Sequence, residues 1–325
     1  MGFWVLVSLL VVAVRPAVPA DPLGWVAVVA AVAAVQAPFD WIGGCWLPVR
    51  HGRPAATVAS IARGVLVQSM VWIVYGLALI GAASLGWLAV ACVVNVSLVA
   101  LVDGQAALAR LVANLPSEDP SPDVAERLVA VGLDPSAVQV VRARDRAFVG
   151  AWTGIPGREQ LTVSARWFSD LPPDTADVAL VRRGVALRTG ARWRGLLAAI
   201  AWTVVGFGLV VALVPGAGVD TPAALLQTSA GGTLWSFLGL LTLPKYSRRA
   251  VFAVDRAAAD QVGAQRVARA IARLDEDQED EERRSETVEQ VFHPVPSPAN
   301  RLLALRGEGD ADTGGIGWFV RRRDA

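Results

Sequence analysis

Side chains able to ligate, cleave or transfer are scarce in this sequence. It has two histidines, His51 and His293, and two cysteines, Cys45 and Cys92. The histidines lie far apart and both cysteines sit in or beside apolar stretches, so neither a Cys/His zinc module nor a disulfide framework can be read. Ser164, Ser169, Ser229, Ser236 and Ser247 have no histidine close by in sequence to act as base, which makes them turn, cap and packing residues. Phosphate-binding loops of the G-x-x-x-x-G-K-[ST] or G-x-G-x-x-G type are missing. Gly150, Gly154 and Gly157 read as turn glycines, and neither nucleotide chemistry nor nucleic-acid binding gains support. Two charged features remain. Arg182, Arg183, Arg188, Arg192 and Arg194 form a basic segment, and residues 275–282 form an acidic run.

The elements that must position these charges are mostly membrane helices. With 54% hydrophobic residues and a mean hydropathy of +0.45, the chain carries more apolar material than one soluble core needs, and it comes in blocks. Residues 3–14 read as a short first span, below the ~20 apolar residues usually required; a cleaved signal ending near Val18-Pro19-Ala20 is the alternative. Residues 23–39, 59–82 and 84–102 give the second to fourth spans. Residues 195–214 and 223–243 give a membrane hairpin. Arginines concentrate between the second and third spans, in residues 103–194 and after residue 243, so the positive-inside rule puts both termini and the polar domain in the cytoplasm of a multi-pass cell-membrane protein.

Within the polar region, residues 115–121 read as a linker, 122–133 as a helix, and 136–149 and 160–164 as strands joined by a turn at 150–157. Pro172-Pro173 precedes Asp174, read as an N-cap with Asp177 three residues on, and a helix then runs through Arg182. A helix over 251–274 leads into the acidic run, a like-charge block expected to be solvated. Trp4, Trp25, Trp41, Trp46, Trp87, Trp202 and Trp235 lie in or near spans, as interfacial anchors would, whereas Trp152, Trp167 and Trp193 belong to the polar part.

A specific resemblance appears once these segments are put in order. Arg146-Ala147-Phe148-Val149-Gly150, then Leu161-Thr162-Val163-Ser164-Ala165-Arg166-Trp167, then Leu171-Pro172-Pro173-Asp174 and its helix resemble the HtpX and CAAX-prenyl-protease type of membrane zinc metallopeptidase. Ser247-Arg248-Arg249-Ala250-Val251-Phe252-Ala253-Val254-Asp255 is similar to that family's third-ligand segment. Pro296-Ser297-Pro298-Ala299-Asn300-Arg301-Leu302 is similar to its closing H-P-S-P-x-x-R-I segment, with Val295 in place of the histidine and His293 two residues early. The resemblance covers residues 146–305. It implies a mostly α integral membrane protein of about six spans, with a small α+β cytosolic metallopeptidase-like domain interrupted by a membrane hairpin. The divisions are 1–102, 103–194, 195–243 and 244–325.

What the resemblance implies for chemistry is a vacated centre. The family's H-E-x-x-H positions fall on Arg182, Arg183 and Ala186, its third ligand on Val251, and its supporting aspartate on Asp255. Arginine is a permanent cation with donors and no acceptor, and alanine and valine have no lone pair, so zinc, the family's cofactor, finds no ligand set here. No catalytic and no metal-binding residue is assigned. The first reading is a pseudoprotease that binds extended peptide segments along Arg146, Ala147, Phe148, Val149, Gly150 and Trp152, or serves as a membrane scaffold. The alternatives are a zinc metalloendopeptidase by descent and a structural subunit of a membrane complex. Expected partners are membrane lipids and peptide segments or another membrane protein. For the basic segment, one reading is a headgroup anchor and the other an anion or acidic-peptide pocket at Arg182 and Arg183.

Overall fold

Among the described residues of the computed structural model, four helices are long and apolar enough to cross a membrane: Pro22–Arg50, Val58–Ala83, Trp87–Val112 and Ala191–Leu213. The structure describes residues 2–52, 55–113, 116–143, 148, 150–278, 289, 293 and 295–307. The first rod is α2 (Pro22–Trp41), a π-helical turn at Ile42–Trp46 and α3 (Leu47–Arg50). Asp21 caps it, accepting from the Gly24 amide at 3.0 Å. α4 (Val58–Ala83), capped by Thr57, and α5 (Trp87–Ala113) form a tight antiparallel pair. α5 continues eleven residues beyond the expected end of the fourth span at Val102.

Before them comes α1 (Gly2–Val14), whose 13 residues are too few to span alone. It packs along α10 (Pro222–Thr242), where Gln227 donates to the Val11 carbonyl at 3.0 Å, and Trp4 donates to Gln36 of α2 at 2.9 Å. α10 pairs with α9 (Ala191–Leu213) in the expected hairpin. It is not among the four helices apolar enough to span, because polar residues from Gln227 to Thr233 interrupt it.

Tryptophan in this region does a different job from the one expected. Trp25 is 3% exposed and its indole enters a slot over Gly76, donating to the Trp72 carbonyl at 3.0 Å. Trp202 and Trp235 stack at 4.4 Å between α9 and α10. Each indole lies on the other helix's glycine, Gly239 and Gly206, where a Cβ would come within 2.7 and 2.0 Å of the ring. Between helices in lipid there is little hydrophobic drive, so close approach through small residues supplies the attraction. These three are helix-packing residues, which corrects their reading as interfacial anchors.

The domain outside the spans holds a four-stranded sheet in the order β1-β2-β4-β3. β2 (Val138–Val141) and β4 (Gln160–Ser164) run parallel, with β1 (Ser117–Glu118) and β3 (Ala151–Thr153) antiparallel at the edges. Two expectations change. The linker contributes β1, and Trp152 is in a strand instead of a turn, because the hairpin is β3–β4 and its turn is confined to residues 154–159. Gly150 is required before β3: its φ is +69°, and a Cβ there would lie 1.9 Å from the Thr162 carbonyl oxygen.

Two cores flank one helix, α8 (Pro173–Arg188). One face of α8 (Ala176, Ala179, Leu180) closes on β2, β4, α6 (Pro122–Ala130) and the short α7 (Arg166–Ser169) through Leu128, Val138, Leu161, Val163 and Trp167. Its other face (Val178, Val181, Val185) packs on α11 (Pro244–Val262) and α12 (Ala264–Gln278) through Val254, Ala258, Val267 and Ile271. α8 is therefore central, covered on two faces. The single helix expected over 251–274 is two, broken at Gly263 with φ +92°, which turns α12 back along α8. Part of the acidic run, through Gln278, belongs to α12; Glu279–Glu282 lie outside the described residues. α13 (Pro298–Leu305), capped by Ser297, closes against α11 and α12.

Candidate functional site

Adjacent residues on a helix point about 100° apart, and Arg182 and Arg183 diverge accordingly. Arg182 turns toward α11, where its Nε donates to Asp255 Oδ1 at 2.8 Å. Arg301 of α13 reaches the same carboxylate from the other side, its Nε on Oδ2 at 2.7 Å and its Nη2 on Oδ1 at 3.1 Å. Asp255 is 2% exposed. A buried carboxylate is tolerated only when paired and hydrogen-bonded, and here two guanidiniums fill both oxygens. Burial, with repulsion from Arg301 in addition, pulls the Arg182 guanidinium down to about 10, against the opposing pull of Asp255.

Arg183 faces the sheet. Its Nη2 donates to the Gly150 carbonyl at 3.1 Å and its guanidinium lies 6.0 Å from the Trp167 ring. The Trp152 indole returns the contact, donating to the Arg183 carbonyl at 2.9 Å. Burial, with Arg301 adding repulsion, lowers Arg183 to about 10 as well. The helix backbone and the sheet edge are thereby tied together through Trp152. This is a packing and hydrogen-bonding role that its placement in a turn did not suggest.

The other singled-out positions fall on the same interface. Ala186, one turn after Arg182, packs into the α8–α11–α12 core. Val251, one turn before Asp255, is half-buried on α11. Of the candidate peptide strand, Arg146, Ala147 and Val149 lie outside the described residues; Phe148 and Gly150 are half-buried, and β3 after them is a sheet edge with Ala151 exposed. Asp174 is not an N-cap. Pro172 holds that position, and the Asp174 carboxylate accepts from Arg266 Nε at 2.7 Å, which holds its carboxyl below the usual range. Asp177 pairs with Arg127 at 2.7 Å.

Nearer the membrane, Arg188 donates to Gln261 and Arg194 to the Thr189 carbonyl, each at 3.1 Å, and Arg192 donates to the Gly154 carbonyl. The basic segment thus ties α8 to α11, secures the α8–α9 joint and fastens α9 to the β3–β4 turn.

Two residues of this centre were not singled out from the sequence. Arg301 was visible only as part of Pro298-Ala299-Asn300-Arg301, and its pairing with Asp255 spans 46 residues. Glu289, 4% exposed, accepts from Asn300 Nδ2 at 2.8 Å through its carboxylate and from Arg248 Nη1 at 2.6 Å through its carbonyl. It joins the Ser247-Arg248 segment to the closing one, and nothing in the local sequence marks it.

Zinc needs three lone-pair donors around one point. Arg182, Arg183, Ala186 and Val251 provide none, and no group of three His, Cys, Asp or Glu side chains able to hold a metal occurs among the described residues. The donor chemistry of these positions does not fit the metal.

No protein-family model matches the sequence, and no curated protein matches it significantly. Among solved structures, the crystal structure of Ste24p from S. mikatae matches with a TM-score of 0.67, covering 85% of this chain and 73% of that one at 13% identity. At such identity the likeness is one of fold: this chain shares the overall architecture of Ste24p.

Proposed function

We propose that this chain is a catalytically inactive homologue of the membrane metallopeptidases, a pseudoprotease of the cell membrane that binds extended peptide or protein segments. The supporting observation is the ion-paired centre. Where the family resemblance puts a histidine, Arg182 is paired with Asp255, whose carboxylate Arg301 shares, and two buried guanidiniums repel a divalent metal. Among the described residues β3 is an edge strand with no strand on its outer side, next to Phe148 and Gly150, which suits strand addition. The arginine bias puts the sheet and both termini on the cytoplasmic side, with six membrane-embedded helices, α1 being a short one.

Zinc analysis of the purified full chain, with a casein or membrane-peptide cleavage assay, tests the loss of activity. The expected result is far less than one zinc per chain and no cleavage; stoichiometric zinc overturns it. Peptide binding is tested separately, by capture of an unfolded polypeptide that weakens at least tenfold in Phe148→Ala. Equal capture by wild type and variant removes that part of the proposal.

A further inference from the structure

Where the sheet meets the spans there is a cavity of about 1060 Å³, at the top of the range for ligand sites. Val67, Val71, Leu108, Val112 and Phe148 are among its apolar walls, contributed by the first turns of α4, the last turns of α5 and the segment before β3. Among the described residues, three charged side chains line it: Arg63, Arg142 and Asp40. Asp40 accepts from Gln36 at 2.6 Å, and Arg142 pairs with Glu118 at 2.9 Å. Arg63 is half-buried and makes no hydrogen bond or ion pair among the described residues. A cationic side chain left without an anion, at the end of two membrane helices and above an apolar slot, is complementary to one chemistry in particular. That chemistry is an anionic headgroup attached to hydrocarbon chains.

We infer that this cavity is a binding site for one anionic phospholipid, its headgroup on Arg63 and its acyl chains along the α4–α5 wall. Basic pockets between spans recognise acidic headgroups by charge, and each arginine near a membrane surface adds attraction equivalent to roughly fivefold in affinity. A zwitterionic lipid offers the same chains and cancels the phosphate with its own cation. The preference between the two therefore measures the Arg63 contact. Ala55, Ala56 and Ala59 are among the small residues that line it.

The test is native mass spectrometry of the full chain in detergent micelles, after incubation with equal amounts of phosphatidylglycerol and phosphatidylcholine of identical acyl chains. One phosphatidylglycerol should remain bound per chain, favoured at least fivefold over phosphatidylcholine. Arg63→Gln should bring the ratio close to one while the lipid-free protein keeps its melting temperature. Ala59→Trp, which fills part of the cavity and removes no charge, should lower retention of both lipids. Equal retention of the two lipids by wild type, or a ratio unmoved by Arg63→Gln, overturns the proposal, as does retention unmoved by Ala59→Trp. Displacement of the lipid by inorganic phosphate, or a co-purified peptide in its place, would assign the cavity to another occupant and equally overturn it.

Discussion

The α9–α10 hairpin and the α8–α11 interface are neighbours in the chain, yet they are fastened by opposite means. In the hairpin, Trp202 and Trp235 each fill a glycine slot on the other helix, and each indole N–H donates to the carbonyl of the opposing tryptophan, at 3.4 and 2.9 Å. Shape does the fastening, and both indole N–H groups stay paired inside an apolar contact. At the α8–α11 interface a single carboxylate holds three segments that are 73 and 46 residues apart. Charge does the fastening there, and it depends on complete pairing. A shape-based joint weakens in proportion to the misfit introduced, whereas a charge-based one fails when one partner is removed.

The largest expected effect follows from that failure. Asp255→Ala leaves two guanidiniums buried and should cost about 3–5 kcal/mol in denaturant unfolding of the detergent-solubilised protein. Asp255→Asn should lose nearly as much, since volume is kept and charge is not; a mild effect of Asn would mean that the contact is fastened by shape after all. Next comes Gly206→Val, expected to cost about 1–3 kcal/mol by overpacking against Trp235. Gly208→Val, on the same helix with no atom near its Cβ position, should stay within about 0.5 kcal/mol. Equal melting temperatures for the two valine variants would remove the slot argument.

Smaller effects probe the edges of the comparison. Trp152→Phe keeps the ring and loses the bond to the Arg183 carbonyl, for about 1 kcal/mol measured in the same unfolding experiment. The smallest is Asp174→Asn at the exposed pair with Arg266, expected at or below about 1 kcal/mol. Because Arg266 lowers the Asp174 carboxyl, that contribution is complete above the ordinary carboxylate pKa. It fades as pH falls through the lowered value, so wild type and Asp174→Asn should converge in acid. A difference that persists at low pH would point to a contact other than the ion pair.

Much of this architecture was legible beforehand. The apolar blocks gave the membrane helices, and β4 matched residues 160–164 because alternation with β-branched residues is a local signal. The order of Phe148, Leu171-Pro172, Ser247-Arg248 and Pro298-Ala299-Asn300-Arg301 carried the family resemblance, and the fold is shared with Ste24p. What stayed hidden was set by distant contacts. β1 is two residues long and exists only because β2 presents an edge. The break at Gly263 is marked by a single glycine inside a helical pattern, and α8 lacks an apolar stripe because both of its faces are covered. Trp152 read as a turn residue because Gly150 and Gly154 bracket it, although the strand between them needs only three residues. The partner of Arg182 could be suspected from the resemblance, but that Arg301 shares it could not be known before α13 was placed.

One feature of the hairpin reaches beyond packing. It joins the domain through Thr189-Gly190 on one side and Leu243 on the other, so that α8 leads into α9 and α10 into α11 with almost no slack. The domain and the membrane helices therefore share a rotational phase. One extra alanine after Thr189 would turn α9 by about 100° relative to α8, leaving every contact inside each part intact while misaligning the parts.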